Sequence, residues 1–432
     1  MTTNGPSPEP LLLPEGARLL HIGLMKTGTT SLQYAASALR DGLLERGVLY
    51  PGTGLNHRTA LTAVMGRGWG WDSEPNPQAW QRLRKQIDAE TSRRVWVGHE
   101  LVSEASESDA EAYRAGLGEN THVVVTLRNY AAMLPSAWQQ TMKGGRHRTF
   151  ESWLRGHLSA KPNLQRTRLE QERLDQGAVV RRWARVFGPE NVTVVVVDKS
   201  TPNLLFEAFE DMLGLERGFL STAEQDGFAS NRGMSAEEAE LLRAINAELR
   251  DELSWPDYRR WVRTGAAATM LARRAPGQHD TRLVLPTWAA EKAAARSARF
   301  VDEISKSGVR VVGDLALLDQ PVPHTDDPLT EPTSVPVAAA AQAVIGAIRQ
   351  ARVERERAEY YRERLGVGAE SGRTYGPRVA KASGRELAVA LAKRVRQRLT
   401  GGHRPAAGDD VENLGDVETY EADALRREED SQ

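Results

Sequence analysis

The sequence predicts an α/β fold, in which helices flank a P-loop-type parallel sheet in three layers. The first observation is a strand, a glycine-rich loop and a helix in succession over residues 17–33. The second is a series of short β-branched and apolar runs that alternate with amphipathic stretches up to about residue 320. The third is size, since 432 residues with 40% hydrophobic side chains can bury a large core.

Composition excludes several classes of site and partner. The net charge of −1 does not indicate a nucleic-acid partner, so we expect none. The chain has no cysteine, which excludes disulfides, thiolate metal sites and cysteine nucleophiles and suits a reducing compartment. No window approaches a membrane span, and the Leu11–Leu13 run is too short for a signal peptide. We therefore expect a soluble, cytoplasmic protein with no integral membrane segment.

The functional prediction depends on the glycine-rich loop. Arg18 to Leu24 is mostly apolar, as in a buried parallel strand, and Lys26 to Thr30 is rich in glycine and hydroxyl groups. Apolar residues then recur at helical spacing from Leu32. In such a unit, the loop N–H groups and the helix N-terminus both point at an anion. The alternative is an ordinary helix-capping turn, where glycine and threonine are also common.

The spacing of this loop differs from that of a nucleotide-binding P-loop at one position. Gly23 and Gly28 stand five apart, as in GxxxxGK[ST]. However, Thr29 occupies the position of the P-loop lysine, and the lysine lies inside the loop at Lys26. From there, we expect its ammonium group to contact a 5′-phosphate and its bridging oxygen rather than β- and γ-phosphates.

A predicted strand from Arg94 ends in two titratable residues, His99 and Glu100. Ligands of open α/β sheets bind at the carboxyl ends of strands, so either residue is a candidate general base. Because adjacent strand residues point to opposite faces, we expect only one of them to face an acceptor. The alternative is a surface pair that caps the following helix.

The next predicted strand ends at Arg128, and Ser136 follows eight residues later in a predicted helix. A guanidinium fork and a hydroxyl near a helix start suit a phosphate dianion. The segment that follows, Lys143–Arg148, is basic, and three roles are open for it: it receives an anionic acceptor, covers a cofactor or forms a solvated turn.

Other segments complete the predicted domain. Trp69 and Trp71 lie in a glycine-rich loop, where they line an acceptor pocket or pack as a lid on the core. The Arg- and Ala-rich region 253–286 forms a helical cap beside the acceptor or a layer on the sheet. Further strands are predicted at residues 47–51, 191–198 and 308–314, and helices at residues 57–65, 80–92, 150–158, 179–187, 201–215 and 288–305.

Composition also divides the chain into segments. We expect a flexible N-terminus at residues 1–16, one α/β domain at 17–320 and a Pro-rich linker at 321–336. A helical extension at 337–399 and a disordered acidic tail at 400–432 follow. The extension either packs on the domain or mediates self-association. The sequence therefore leaves open whether the protein forms a homo-oligomer through this helix.

The string Lys-Thr-Gly-Thr-Thr at residues 26–30 resembles the 5′-phosphosulfate loop of sulfotransferases that use 3′-phosphoadenosine 5′-phosphosulfate (PAPS). A strand that ends in a histidine comes next, and then an arginine with a serine eight residues after it. These features follow in the same order as in that family. The resemblance covers roughly Arg18 to Asp314, and the start His-Ile-Gly-x-x-Lys and the segment Gly47–Gly52 are most similar to bacterial members. It implies sulfuryl transfer from PAPS to the hydroxyl of a glycan, lipid or small metabolite, with no metal.

The resemblance also implies roles for individual residues. It implies that Lys26 stabilises the leaving group and that His99 or Glu100 is the catalytic base. It also implies that Arg128 and Ser136 bind the 3′-phosphate. The cofactor-binding residues it implies are Lys26, Thr27, Gly28, Thr29, Thr30, Ser31, Arg128, Ser136 and Arg232.

Two departures from the family pattern bear on these roles. Cytosolic members carry Lys-Thr-His at the catalytic strand, whereas this chain has Val97-Gly98-His99, so leaving-group stabilisation falls to Lys26 alone. Many members also contact the 3′-phosphate from an Arg-Lys-Gly segment, which this chain lacks. Arg232-Gly233 is either its substitute or only the loop that leads into the next helix. A P-loop kinase or NTPase, disfavoured by the missing GK[ST], and a non-catalytic nucleotide-binding interaction protein are the alternative functions.

Overall fold

The computed structural model describes residues 11–68, 74–160, 171–223 and 232–364, with side chains up to residue 360. Within these residues, the centre is a six-stranded sheet whose neighbouring strands all pair parallel. In chain order its strands are β1 (Arg18–His21), β2 (Val48–Leu49), β3 (Arg94–Gly98), β4 (Thr121–Leu127), β5 (Val192–Val196) and, after β6 (Leu285–Pro286) of a separate pair, β7 (Arg310–Val312). The order across the sheet is β2-β3-β1-β4-β5-β7.

Helices connect these strands. They are α1 (Thr29–Ala38), α2 (Arg40–Glu45), α3 (Arg58–Val64), α4 (Pro77–Ala89), α5 (Glu107–Leu117), α6 (Tyr130–Lys143), α7 (Phe150–His157), α8 (Gln176–Phe187), α9 (Leu204–Leu213), α10 (Ala236–Leu249), α11 (Trp255–Tyr258), α12 (Ala268–Arg273), α13 (Thr287–Ser305) and α14 (Val337–Arg364). A π-helical segment, Arg259–Ala267, joins α11 to α12.

The sheet separates two apolar cores because successive strand residues point to opposite faces. Leu19 of β1 packs on one side with Leu32 of α1 and Phe209 of α9. Leu20, the next residue, packs on the other side with residues of α6, α8 and α13, among them Trp183. Helices therefore cover both faces of a parallel sheet, which confirms the predicted α/β fold class.

The parallel register brings the ends of three central strands to one edge. His21, the last residue of β1, is opposite Gly98 of β3 and Val124 of β4. The loop after β1 thus lies between the segments that follow β3 and β4. These segments contain His99 and Arg128, so the candidate residues share the carboxyl edge of the sheet.

The predicted linker at residues 321–336 lies against the α/β domain. β8 (His324–Thr325) pairs with β6, and Val322, Leu329 and Val335 pack on the larger core. Contacts divide the described residues into one compact unit that extends to Gln350 and another that begins at Ala351. The other predicted segment boundaries, and self-association through the C-terminal helix, stay predictions.

Some predictions fall on residues that the structure does not describe. Trp69, Trp71 and the acidic tail at 400–432 lie outside the described residues, as do residues 1–10 of the expected flexible N-terminus. Among the helices of the described ranges, none combines the length and the hydropathy needed to span a membrane.

Candidate functional site

The loop between β1 and α1 continues the sheet before it turns. Ile22 N donates to the Val124 carbonyl at 2.9 Å, and Leu24 N donates to the Thr126 carbonyl at 3.2 Å. The Thr27 hydroxyl donates to the Leu24 carbonyl at 2.5 Å and lies 2.6 Å from the Thr126 hydroxyl. Because Thr27 has one hydroxyl proton, Thr126 is the donor in the second bond. These bonds fasten the loop to β4.

Two residues of the loop have a left-handed backbone. Lys26 has φ +67° and, within the described ranges, is the one residue other than glycine with a positive φ. This conformation costs an L-residue about 1–2 kcal/mol, and residues held in it cluster at functional sites. Gly28 follows with φ +86°, and a Cβ on it would lie 2.5 Å from Leu205 Cδ2 of α9. The positive φ therefore favours glycine at this turn, and the Leu205 side chain would have to shift to admit a Cβ.

The start of α1 presents donors that the protein itself does not use. No side chain caps the helix, and its first turn has no acidic residue, whereas α5 and α10 begin with complete capping boxes. The Thr29 hydroxyl is buried and has no hydrogen-bond partner in the described structure. Thr30 and Ser31, both half-buried, complete the first turn. Unused donors at the positive end of a helix dipole suit an anion.

Lys26 makes neither a hydrogen bond nor an ion pair with any residue that the structure describes. Burial lowers the pKa of its ammonium group, and the nearby Arg263 and Arg128 lower it further, against the opposing effect of Glu100. Positive charges that lie near one another repel, and a bound anion relieves that repulsion. The charge around Lys26 therefore favours an anionic ligand.

Lys143 extends this positive region, whereas the sequence left its segment open between contact with an acceptor, cover of a cofactor and a solvated turn. It is the last residue of α6, and burial together with Lys26 and Arg263 lowers its pKa to about 7. Arg263 comes from the π-helical segment and donates to the Lys143 carbonyl at 3.4 Å. The signals in the sequence were a basic segment starting at Lys143 and an Arg-rich region around Arg263, and neither shows that the two meet.

Arg128 has a backbone fixed from two sides. The Gln176 amide donates to its carbonyl at 2.6 Å. The next residue, Asn129, caps α6 and donates to the carbonyls of Leu317 at 3.2 Å and Gln320 at 2.8 Å. The Arg128 guanidinium is near enough to Lys26 to lower the pKa of the Lys26 ammonium group. Ser136, half-buried in α6, stays a predicted phosphate ligand.

His99 and Glu100 contact each other. The strand ends at Gly98 and Glu100 starts a short 3₁₀ helix, so the alternation of a strand does not extend to these two residues. That only one of them faces an acceptor stays a prediction. His99 Nδ1 accepts from Leu101 N at 3.2 Å, which leaves the proton of neutral His99 on Nε2. Nε2 lies 3.5 Å from Glu100 Oε2. His99 thus points its proton at the carboxylate, and Glu100 is the better-placed base.

The Glu100 carboxylate is positioned by a residue that the sequence prediction missed. Gln33 Nε2 donates to Glu100 Oε2 at 3.3 Å, and Asn56 Nδ2 donates to Gln33 Oε1 at 3.3 Å. Burial raises the pKa of Glu100, but His99, its own backbone N–H and Gln33 together lower it below the usual value. Glu100 is therefore ionised at neutral pH, as a base must be. The signal was a polar residue among buried positions of α1.

Arg232 is occupied by structural contacts. Its guanidinium makes two 2.7 Å bonds to the fully buried Glu238 carboxylate and donates to the carbonyls of Leu271 at 3.2 Å and Arg274 at 2.7 Å. These bonds use most of its donors, so they favour the alternative role as a helix lead-in. Contact of Arg232 with a cofactor stays a prediction.

Gly23 is expected to be intolerant of a side chain. An alanine Cβ would overlap the Thr126 hydroxyl and lie 2.6 Å from His21 Nε2 and 2.9 Å from Thr29 Oγ1. We expect Gly23→Ala to lower the free energy of unfolding by about 1–3 kcal/mol, as overpacking does. Chemical denaturation measures this, with Gly277→Ala as control because its nearest neighbour is 3.5 Å away. Equal stability of the two variants would show that the loop yields freely.

Lys26, Glu100, Arg128 and Lys143 lie near enough to one another at the loop to interact electrostatically, which makes this region the candidate site for an anion. Within the described ranges, no three His, Asp or Glu side chains are grouped so that they could hold a metal ion. The region is therefore built from cations, backbone donors and one ionised acid.

Comparisons with known proteins add little to this geometry. No family model and no curated protein matches the chain. Among solved structures, a sulfotransferase from Alicyclobacillus acidocaldarius aligns with 56% of this chain and 98% of its own, at 16% identity and a TM-score of 0.36. A TM-score and an identity this low are not evidence for a shared activity, so function has to be inferred from the residues of the site.

Proposed function

We propose that this protein is a sulfotransferase that moves a sulfuryl group from PAPS to an acceptor hydroxyl. The observation that carries the proposal is the loop, in which Lys26 has a left-handed backbone and no partner in the described structure, beside an uncapped helix start. A P-loop kinase would need its lysine where Thr29 stands. The displaced lysine suits the bridging oxygen of a 5′-phosphosulfate better than a triphosphate with magnesium.

In this proposal the loop residues hold the 5′-phosphosulfate. Its oxygens accept from the N–H groups of residues 28–30 and from the otherwise unpartnered Thr29 hydroxyl, whereas Ser31 N already donates to the Gly28 carbonyl at 3.1 Å. Thr27 contributes only its backbone N–H, since its hydroxyl already bonds Leu24 and Thr126. Arg128 and Ser136 hold the 3′-phosphate by a guanidinium fork and a hydroxyl.

Glu100 takes the proton of the acceptor hydroxyl as the acceptor oxygen attacks sulfur. The bond between sulfur and the bridging oxygen breaks, and 3′,5′-adenosine diphosphate leaves with the electron pair. Lys26 and the loop N–H groups stabilise the charge that develops on that oxygen. A positioned base contributes about 10²–10⁴-fold to such a step. His99 and Gln33 orient the carboxylate through the bonds described above.

Calorimetric titration with 3′,5′-adenosine diphosphate tests the donor site without an acceptor. We expect Lys26→Ala and Arg128→Ala each to weaken binding by about 10–100-fold, because hydrogen bonds to charged groups contribute about 1.5–3 kcal/mol. Lys85→Ala, which removes an exposed lysine of α4, is the matched control and should bind like wild type.

Two results would overturn the proposal. One is a wild-type protein that does not bind 3′,5′-adenosine diphosphate, or variants that bind it as wild type does. The other is tight binding of ATP with magnesium and none of the 3′-phosphorylated nucleotide, which would favour a kinase or NTPase.

A further inference from the structure

Three buried side chains form a chain of hydrogen bonds beneath the glycine-rich loop. His21 Nε2 lies 3.4 Å from the Thr126 hydroxyl, which lies 2.6 Å from the Thr27 hydroxyl. The Thr27 hydroxyl in turn lies 2.5 Å from the Leu24 carbonyl oxygen. All three side chains belong to residues that are at most 1% exposed. The chain therefore connects the end of β1 with β4 and, through Thr27, with the residue that follows Lys26.

The direction of each bond follows from the number of protons. The Leu24 carbonyl can only accept, so Thr27 donates to it, and the one hydroxyl proton of Thr126 goes to Thr27. The Thr126 oxygen then accepts from His21 Nε2, which means that the neutral ring carries its proton on Nε2. Burial lowers the pKa of His21 to about 3, against the opposing effect of Glu100, so the ring is neutral at neutral pH. The chain therefore runs in one direction, from His21 to the Leu24 carbonyl.

His21 is held in place through both its ring and its backbone. The ring packs edge-on against Phe209, with centroids 5.0 Å apart. The His21 carbonyl accepts from His99 N at 3.0 Å. Gly23 leaves room for the chain, since a Cβ at this position would lie 2.6 Å from His21 Nε2. His21 therefore has a fixed position between the loop and the segment that carries His99.

Thr126 holds the loop on both sides of Lys26. Its carbonyl accepts from Leu24 N at 3.2 Å, and its hydroxyl donates to Thr27. Lys26, between these two anchored residues, has φ +67°, a conformation that costs an L-residue free energy. Residues in such conformations persist only where the surrounding structure determines them strongly. The bonds of Thr126 supply that determination at this turn.

We propose that Thr126, oriented by His21, is a positioning residue that holds Lys26 in its left-handed conformation and so directs the ammonium group at the anionic ligand. This inference rests on the proposed function, in which that ligand is the 5′-phosphosulfate. Thr126 is not itself a ligand of the anion, because its hydroxyl proton goes to Thr27. Its effect on binding is therefore transmitted through Lys26.

A double-mutant cycle of Thr126→Val and Lys26→Gly, titrated calorimetrically with 3′,5′-adenosine diphosphate, tests this route. Valine keeps the branched shape and the strand preference of threonine but has no hydroxyl. We expect Thr126→Val to weaken binding about 3–10-fold, the effect of one hydrogen bond, and Thr126→Ser to recover most of the affinity. In the Lys26→Gly background Thr126→Val should have no further effect, because a residue that acts through Lys26 is not additive with it.

Nuclear magnetic resonance of the histidine rings tests the chain itself, without nucleotide. We expect the His21 signal, assigned with His21→Gln, to show a neutral ring with its proton on Nε2. In Thr126→Val this proton loses its acceptor and should exchange faster with water. Thermal unfolding checks that the variants fold, and the wild-type spectrum decides the proton position whether or not they do.

Four results would contradict the proposals, and they separate the two sites of failure. A His21 proton on Nδ1, wild-type affinity in Thr126→Val, or an equal loss from Thr126→Val with and without Lys26 overturns the positioning role, while donor binding stands. A wild-type protein that does not bind 3′,5′-adenosine diphosphate overturns the proposed function and this inference together.

Discussion

Replacing Lys26 by glycine is expected to lower kcat for release of 3′,5′-adenosine diphosphate from PAPS by about 10²–10³-fold, as loss of one preorganised charge stabiliser does. In the proposed site, Lys26 alone neutralises charge on the bridging oxygen, since Val97 stands where cytosolic sulfotransferases carry a second lysine. The measurement is the rate of nucleotide release with a panel of alcohol acceptors, at saturating PAPS.

The glycine variant separates the role of the Lys26 ammonium group from the role of the Lys26 backbone conformation. Lys26 has φ +67°, a conformation that glycine adopts freely and alanine does not. If the ammonium group is what matters, Lys26→Gly and Lys26→Ala lose activity alike, and Lys85→Ala keeps it. Activity retained by the glycine variant and lost by the alanine variant would mean that the residue serves the turn, and the role of the ammonium group would be refuted.

The central fold was predictable because its signals are local. β1, the loop and α1 follow one another within 21 residues, from Arg18 to Ala38, and each carries its own pattern. Parallel strands then place their carboxyl ends together, so the sequence alone predicts that the residues after β3 and β4 share one edge of the sheet with this loop. The regular part of β1 ends at His21, yet ladder bonds continue to Leu24 because the loop follows β4 before it turns.

The rest of the site depends on contacts between distant residues. Lys143 and Arg263 are 120 positions apart, and their meeting is set by how the π-helical segment packs against the end of α6. No local sequence pattern indicates that these two residues lie close together in space. The contact between His99 and Glu100 has another origin, since it follows from a strand that ends at Gly98, two residues before its predicted end at Glu100.

Glu100→Gln is expected to lower kcat by about 10²–10⁴-fold, because glutamine keeps the shape but cannot take a proton. His99→Gln should cost less, since the hydrogen bond of His99 Nδ1 with Leu101 N makes His99 an orienting donor through Nε2 rather than the base. Nucleotide release from PAPS with a fixed alcohol acceptor measures both. A larger loss in His99→Gln than in Glu100→Gln would reverse the assignment.

The pH profile identifies the base independently, because the acid limb of kcat/KM follows the base of the free enzyme. The active form of Glu100 is its carboxylate, and its pKa is below the usual value, so activity should persist well into the acidic range and fall only as Glu100 protonates. Gln33→Leu removes a hydrogen bond that lowers this pKa, which raises the pKa and moves the acid limb to higher pH while activity at neutral pH is kept. If a histidine were the base, Gln33→Leu would leave the acid limb in place, because the hydrogen bond that it removes is to the Glu100 carboxylate.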